Sequence, residues 1–484
     1  MRKLKAWLSS RWISTICAIL IQFFLLGAFF LFLDRTFEIA HIVLVLISVV
    51  AVFHLLSRNM NGSLKRMCCI LILMFPWIGG IFYFLFGKKK THPASYRCVV
   101  NSSYLPKVLR YALSCAYGQL CDHTQSIYFK SEEAFRESYL KELSKAVHVI
   151  YMEYFILAEG QFFSEILDIL VDRMNHGVQV YLMIDDIGCI RTLPDGFEKK
   201  MQKLGIHIHI YNPLKRVLSL NGNTRDHRKI TVIDNHCAFM GGNNLADEYI
   251  NNIKKFGYWK DAAVMVKGQA AAWCAQLFES FWNQHAPEPI HNDCPISSVQ
   301  YESDGWVVPF MDDALDEELS ALNIHLFMIE SAHSFIQIQT PYLILKDEMK
   351  HALMRAAKSG VQVQLLLPHV PDRWFVHEVS RSYYKELIQS GVRIFEYVPG
   401  FNHSKVVLND EIGLCSTINM DYRSYVHHHE CGILFYQSSV LDQMREDMRK
   451  TIEQSVEIHL SDCEKTSMYV KVFRTFMSLW EPLL

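Results

Sequence analysis

Apolar residues follow two different patterns along this chain. The first ninety residues hold three uncharged runs: Ile13 to Leu33, Ile39 to Leu56 and Met67 to Phe86. A helix of about 20 residues spans a hydrocarbon layer of about 30 Å. The first run meets that length, broken only by Ser14, Thr15 and Gln22, and the second meets it with His41 and His54 near its ends. The third carries Pro76, Gly79 and Gly80, which kink a helix. No small-residue cleavage site precedes the second run, so the first reads as an uncleaved anchor rather than a secretory signal. From about residue 105 the pattern changes. AVHVIYMEYFIL (Ala146 to Leu157) alternates Ile150, Met152, Tyr154 and Ile156 along one side of an extended strand. Phe163, Ile166, Leu167 and Leu170 then recur at helical spacing. Val178 to Ile184 is nearly all apolar, as a strand covered on both faces demands.

That strand–helix–strand plan occurs twice. SAHSFIQIQTPYLIL (Ser331 to Leu345) and GVQVQLLLPHV (Gly360 to Val370) repeat the first copy and its GVQVYLMIDDIG (Gly177 to Gly188). KLGIHIHIY (Lys203 to Tyr211) matches QSGVRIFEY (Gln389 to Tyr397), and DHRKITVID (Asp226 to Asp234) matches NHSKVVLND (Asn402 to Asp410). Pro287, Pro289 and Pro295 mark an irregular link between the copies. The pattern predicts an α/β chain in three parts. A membrane region of two or three hydrophobic helices covers residues 1–92, and two similar domains, mixed β-sheets flanked by helices, cover 93–290 and 291–484.

Charge refines this picture. Lys and Arg number 48 against 50 Asp and Glu, which argues against nucleic-acid binding driven by net charge. Arg2, Lys3, Lys5 and Arg11, and later Arg58, Lys65 and Arg66, hold both ends of the first two spans on the cytoplasmic side. If the third run bends back at Pro76, then Lys88, Lys89 and Lys90 stay inside beside anionic headgroups; if it crosses, they fall outside. The lysines and the free cysteines favour the bent or interfacial form. The 13 cysteines make no CxxC pair and no alternating Cys/His cluster, which fits a reducing compartment and gives no zinc motif. The expected location is the cell membrane, multi-pass, with the domains on the cytoplasmic side.

The candidate chemistry lies in the repeat. HxKxxxxD occurs at His227, Lys229, Asp234 and again at His403, Lys405, Asp410. Period 2 puts each His and Lys on one face of a strand. Phosphoryl oxygens gain charge as a nucleophile adds, and two lysines with Asn244 and Asn419 would stabilise it. One histidine attacks phosphorus while the other protonates the departing alcohol and later deprotonates the incoming one. The lysines and histidines supply the positive field, so no metal or other cofactor is expected. Each histidine needs a carboxylate behind it to fix its tautomer. Asp261, 34 residues after His227, and Glu430, 27 after His403, stand at matching points. Asp234 and Asp410 belong to the motif but follow several apolar residues, so they read as structural acids binding a turn or a motif lysine. Asp185 and Asp186 end a buried strand, where ligand contact and turn capping are both open readings. Glu153 and Tyr154 could face a cleft or pair across the sheet. Tyr383 and Tyr384 fit core packing. His427, His428 and His429 look like a metal tract, but strand neighbours point to opposite faces.

With these residues in view, the chain resembles bacterial cardiolipin synthases of the phospholipase D superfamily. FPWIGGIFYFLFG, DDIG, DHRKITVIDN, MGGNN, YWKD, QTPYLI, SRSYYKELI, PGFNHSKVVLND and NMDYRS carry the resemblance over the whole chain. It implies a pseudo-twofold site between two phospholipase D-type domains and the joining of two phosphatidylglycerols into cardiolipin with release of glycerol. His227 and His403 would be the histidine pair, Lys229 and Lys405 the phosphate binders, and Asn244 and Asn419 the later asparagines. The partners implied are phosphatidylglycerol and anionic membrane lipid. His227 is favoured as nucleophile and His403 as acid/base. One departure stands out: Gly241 and Gly242 match Cys415 and Ser416, and Asp410 to Asn419 is one residue shorter than Asp234 to Asn244. The extra side chain would then sit where bare backbone often approaches phosphate. A hydrolase, a transferase with another acceptor, a nuclease and a non-catalytic membrane scaffold remain the competing readings.

Overall fold

The computed structural model describes residues 35–57, 62–74, 104–213, 223–290, 294, 299 and 301–481. The chain divides into two compact units. One comprises residues 1–91, 214–223 and 476–484; the other comprises 92–213 and 224–475.

In the smaller unit, helices Arg35–Ser57 and Gly62–Met74 pack through Leu55, Met67, Cys68, Leu71 and Ile72. Ile42, Leu46, Val50 and Phe53, three or four residues apart, are all exposed on the first of these helices. Among the described residues no helix is long and apolar enough to cross a membrane. The first predicted span, Ile13 to Leu33, lies outside the described residues, as does the third from Phe75 on.

The larger unit holds two mixed sheets with the same strand order, the second extended by one further edge strand. The first repeat contributes β1 (Thr124–Phe129), β2 (Val149–Tyr154), β3 (Gln179–Asp185), β4 (His207–Tyr211) and β5 (Arg225–Asp226). It continues with β6 (Lys229–Ile233), β7 (Cys237–Gly241), β8 (Tyr258–Lys260) and β9 (Ala263–Gly268). The second contributes β10 (Trp306–Asp312), β11 (Phe335–Gln339), β12 (Gln362–Pro368), β13 (Arg393–Tyr397) and β14 (Gly400–Asn402). It ends with β15 (Val406–Asn409), β16 (Ile412–Ser416), β17 (His428–Tyr436) and β18 (Ser455–Ile458). The first sheet runs β1-β9-β7-β6-β2-β3-β4 and the second β10-β17-β16-β15-β11-β12-β13-β18. In each, three parallel strands (β2 to β4, β11 to β13) are joined to antiparallel ones. Glycines at matching helix ends, Gly177 before β3 and Gly360 before β12, take φ of +90° and +98°. That left-handed turn is the reason the GVQV word recurs.

One apolar core joins the sheets. Met240, Val264 and Val266 meet Val406, Leu408 and Ile433, together with Phe278 of helix Gln269–His285 and Met444 of helix Val440–Glu453. Each sheet has a second core on its other face, built around Phe162, Ile166 and Leu182 in the first repeat and Ile324, Leu353 and Leu365 in the second. Burial on both faces explains the nearly continuous apolar runs of β2, interrupted by Glu153, and β3. The helix Lys107–Cys115, which precedes the first repeat in the chain, packs through Val108, Leu109 and Ala112 into the core of the second sheet.

Candidate active site

The two motif histidines are positioned by strand pairing that crosses between the repeats. β5, leading into His227, lies parallel to the start of β17, and the His227 amide donates to the His429 carbonyl at 3.0 Å. β14, leading into His403, lies parallel to β8, and the His403 amide donates to the Lys260 carbonyl at 2.7 Å. Each histidine therefore hangs from a strand that carries the other repeat's acid, as β17 does Glu430, or runs directly into it, as β8 does Asp261.

The carboxylates follow the same crossing. His227 Nδ1 lies 3.0 and 3.1 Å from the two Glu430 oxygens, and His403 Nδ1 lies 2.6 Å from Asp261 Oδ2. A carboxylate only accepts, so both Nδ1 atoms are donors and both Nε2 atoms are left with a lone pair. The acids are themselves held. Thr417 Oγ1 donates to Glu430 Oε2 at 2.5 Å, and the Ala262 amide donates to Asp261 Oδ1 at 2.9 Å. Spacing alone could not reveal which acid serves which histidine, because both stand at equivalent points of the repeat.

The site is buried, and the lysines and carboxylates of both repeats meet in it. His227 and His403 are each 6% exposed. Burial holds His227 well below its ordinary pKa, and Lys229, Lys405 and His403 push it the same way, so cations of both repeats reach one ring. Burial, then Lys405, lowers His403 to about 4 against the pull of Asp261. Burial lowers Lys229 to about 7 and Lys405 to about 8, although Glu430 and Asp261 oppose it. Burial raises Asp261, but His403 and Lys405 outweigh it and hold the acid below the ordinary carboxylate range. Each lysine ammonium folds onto the carbonyl of its own motif histidine, at 2.5 Å in both repeats. Phe155 packs edge-on to His227, and Trp259 and Phe401 flank His403.

The asparagines differ in setting. Asn244 Oδ1 accepts from the Ile156 amide at 3.0 Å, which ties it to the end of β2. Asn419 is buried and its Oδ1 has no hydrogen-bond partner among the described residues.

Asp234 and Asp410, grouped by the motif with the catalytic set, sit apart from it. They follow β6 and β15, at the opposite strand ends from the histidines. Five residues of strand put roughly 16 Å between such an acid and its motif lysine. Asp234 accepts from the amides of Val147, His148 and Val149, and Asp410 from those of His333 and Ser334. Of the two partners expected for them, they bind the turn and not the lysine. Replacing Asp234 by alanine is expected to lower stability by about 1–2 kcal/mol, read as a fall in Tm, with turnover per folded molecule almost unchanged. A roughly 100-fold slower enzyme with an unaltered Tm would instead return Asp234 to the chemistry.

The one-residue difference between the repeats lies in the hairpin tip. β6 and β7 close through Asp234, Asn235 and His236, with Ile233 opposite Cys237. β15 and β16 close through Asp410 and Glu411, since Leu408 faces Gly413. Continuing these registers sets Ser416 against Gly241 and Thr417 against Gly242. The first-repeat glycines clear protein rather than phosphate: a Cβ on Gly242 would lie 1.9 Å from Asp261 Oδ1, and one on Gly241 2.3 Å from the Ala262 carbonyl. Thr417, at the position of Gly242, supplies a donor to Glu430.

The remaining polar residues are mostly scaffold. Asp185 accepts from the amides of Ile187 and Gly188, capping a turn, and from the amide of Asp226. Glu153 pairs with Arg228, whose Nε also bonds Asp226. The Tyr154 hydroxyl meets Thr231 across the sheet at 2.8 Å. Tyr384 is buried with its hydroxyl on Glu396, and the Tyr383 hydroxyl reaches the Leu345 carbonyl at 3.5 Å. His429 bonds the Tyr211 hydroxyl, while His428 faces His227, as strand alternation requires.

Residues 139–282 and 326–452 match the family model described as cardiolipin synthase, PLD-like domain, and residues 46–88 match one described as phospholipase D-nuclease N-terminal. A Streptococcus mutans protein called uncharacterized is 39% identical over 75% of this chain and 79% of its own length. Cardiolipin synthase 2 of Bacillus cereus is 33% identical over 73% of this chain and 69% of its own. Cardiolipin synthase of Halalkalibacterium halodurans is 29% identical over 91% of this chain and 93% of its own. The crystal structure of phosphatidylserine synthase from Haemophilus influenzae matches in fold, with a TM-score of 0.58 at 16% identity over 74% of this chain and 93% of that one. With both repeats inside the family match, and two related histidine sites built alike, the chain belongs to the cardiolipin synthase family of phospholipase D-like proteins.

Proposed function

We propose that this chain is a membrane-bound phosphatidyltransferase of the cardiolipin synthase type, joining two phosphatidylglycerols. The observation that carries the reading is the paired geometry: two buried imidazoles, each with Nδ1 on a carboxylate of the other repeat, share a field set by two lysines. His227 Nε2 attacks phosphorus of the first lipid. The phosphorus–oxygen bond to glycerol breaks, and the leaving oxygen takes a proton from His403. A hydroxyl of the second lipid then gives its proton to His403 and attacks the same phosphorus. The phosphorus–nitrogen bond breaks, His227 is regenerated and cardiolipin leaves. An anionic phosphate beside Lys229 and Lys405 offsets their charge, which lets His403 hold the proton this cycle needs. One phosphodiester replaces another, so no nucleotide is consumed. Residues 93–290 and 291–484 act as the two halves of one catalytic body.

Residues 1–92 would hold the site at the headgroup plane, multi-pass, with the catalytic body on the cytoplasmic side. The exposed row Ile42, Leu46, Val50 and Phe53 supports this, since an apolar face of that kind calls for lipid or another chain over it. A partly dry site at that plane favours an alcohol over water.

The test is incubation of purified full-length protein with phosphatidylglycerol. Free glycerol and a four-chain lipid are expected, whereas phosphatidic acid as sole product would make the enzyme a hydrolase. Lys229→Ala or Lys405→Ala should slow transfer roughly 100-fold, the scale of losing an oxyanion donor. A change under about twofold would remove that lysine from the site.

The two lysines also set a pH dependence. Their pKa values of about 7 and about 8 belong to the free protein, and they are charged below those values. As pH rises through that window the free site loses positive charge and binds anionic headgroups less well. Bound phosphate restores the charge. The value of kcat/KM should therefore fall by roughly tenfold or more from about pH 7 to about pH 9, while kcat at saturating lipid changes little. A flat kcat/KM profile over that range would remove the lysines from phosphate binding.

A further inference from the structure

The two histidine–carboxylate pairs are not equivalent in what lies beside them. Beside His403 and Asp261 stands Trp259, its ring 5.1 Å from the imidazole. At the matching place beside His227 and Glu430 stands His428, its ring 4.9 Å from the imidazole. Tryptophan cannot bind a metal ion; histidine can. His428 is 7% exposed, and neither of its ring nitrogens has a hydrogen-bond partner among the described residues. Its Nδ1 stops 3.5 Å from Glu430 Oε1, and that oxygen is 3.0 Å from His227 Nδ1. Donor atoms of the three residues all lie within 4.8 Å of one another. A tetrahedral zinc ion with bonds of about 2.0–2.1 Å holds its ligands roughly 3.3 Å apart, so two edges of such a site are already present.

We propose that His227, His428 and Glu430 form an inhibitory binding site for zinc or a similar divalent transition-metal ion, present in one half of the pseudo-twofold centre and absent from the other. The consequence for chemistry follows from proton position. Glu430 normally receives the Nδ1 proton of His227, which leaves the Nε2 lone pair free. A metal on Nδ1 needs that atom's lone pair. The single proton of the neutral ring then sits on Nε2, where it blocks attack on phosphorus. It also leaves the ring a poor acid, because a neutral imidazole gives up its last proton with difficulty. The metal-loaded ring is thus silent whether His227 serves as nucleophile or as acid/base. The triple-histidine tract contributes one ligand and not three, because His429 faces away onto Tyr211.

Inhibition rests on the catalytic reading of His227; binding does not, and the two are measured separately. Full-length protein in phosphatidylglycerol-containing micelles is stripped with EDTA and titrated with buffered Zn2+. Bound zinc per chain is counted, and transfer is scored against each variant's own metal-free rate. The cysteines will also take up zinc, so the difference between wild type and His428→Asn is what decides. Wild type should bind one more ion than His428→Asn, and EDTA should restore its activity. The variant should need at least about tenfold more free zinc for equal inhibition, the scale on which loss of metal-site partners weakens affinity. Co2+ substitution gives a readout free of activity: wild type, and not His428→Asn, should show the strong visible absorption of a tetrahedral ion with nitrogen and oxygen ligands. Equal zinc counts and equal cobalt spectra for the two proteins would overturn the site. A bound extra ion without inhibition would keep the site and remove its inhibitory role.

Discussion

Replacement of either His227 or His403 by alanine is expected to lower cardiolipin formation by roughly 1,000-fold or more, well within what loss of a nucleophile or of a general acid costs. The two variants should fail at different points. Without the nucleophile no phospholipid adduct forms on the protein. Without the acid/base the adduct forms slowly and is released slowly, so an acid-labile, base-stable species accumulates. Mass spectrometry of protein quenched in base separates the two, and it assigns which histidine is the nucleophile. Alanine also leaves Glu430 or Asp261 buried with one donor fewer, which costs stability as well as chemistry. His227→Asn and His403→Asn keep an N–H near the Nδ1 position and are the control for folding. If well-folded alanine variants of both histidines retain full product formation, the phosphohistidine mechanism is wrong.

The strands were legible because burial on both faces writes itself as nearly continuous apolar runs in β2, β3 and β12, and because the second copy repeats the plan of the first. The order of strands within each sheet follows that repetition. What the residues could not disclose is the crossing. β5 and β14 are two and three residues long, too short to show any periodicity, and their partners lie about 200 and 140 residues away in sequence. Nothing local in DHRK or NHSK says which acid stands behind the ring. The role of Gly242 was hidden for a similar reason: the atom it avoids belongs to Asp261, 19 residues later. The missing residue after Asp410 falls in a turn and not beside phosphate, because a hairpin tip tolerates a change of length that a paired strand cannot. The sequence could not single out His428 within the histidine tract, since the groups it meets, His227 and Glu430, come from a distant segment and from two residues along the same strand. The long N-terminal runs were the plainest signal in the sequence, and one of the two described helices there leaves its apolar row exposed.

The crossed carboxylates lead to an expected result that neither acid alone would give. Glu430→Gln and Asp261→Asn each exchange an acceptor for an amide that can present its N–H to Nδ1, which favours the wrong ring tautomer. A loss of up to roughly 10,000-fold is the scale known for that change in a triad histidine. A donor lipid with a nitrophenol in place of glycerol needs no acid to expel its leaving group. With that donor, the release of nitrophenol in the first turnover requires the nucleophile and not the acid. Variants on the acid side should therefore recover most of the lost rate, and variants on the nucleophile side should not. Because His227 is held by Glu430 and His403 by Asp261, Glu430→Gln should behave as His227→Ala does, and Asp261→Asn as His403→Ala does. This pairing holds whichever histidine is the nucleophile, since exchanging their roles exchanges both pairs together. Recovery that grouped Asp261 with His227, both from the first repeat, would mean that each repeat orients its own histidine during turnover. It would separate the working site from the crossed arrangement that β5 and β14 create.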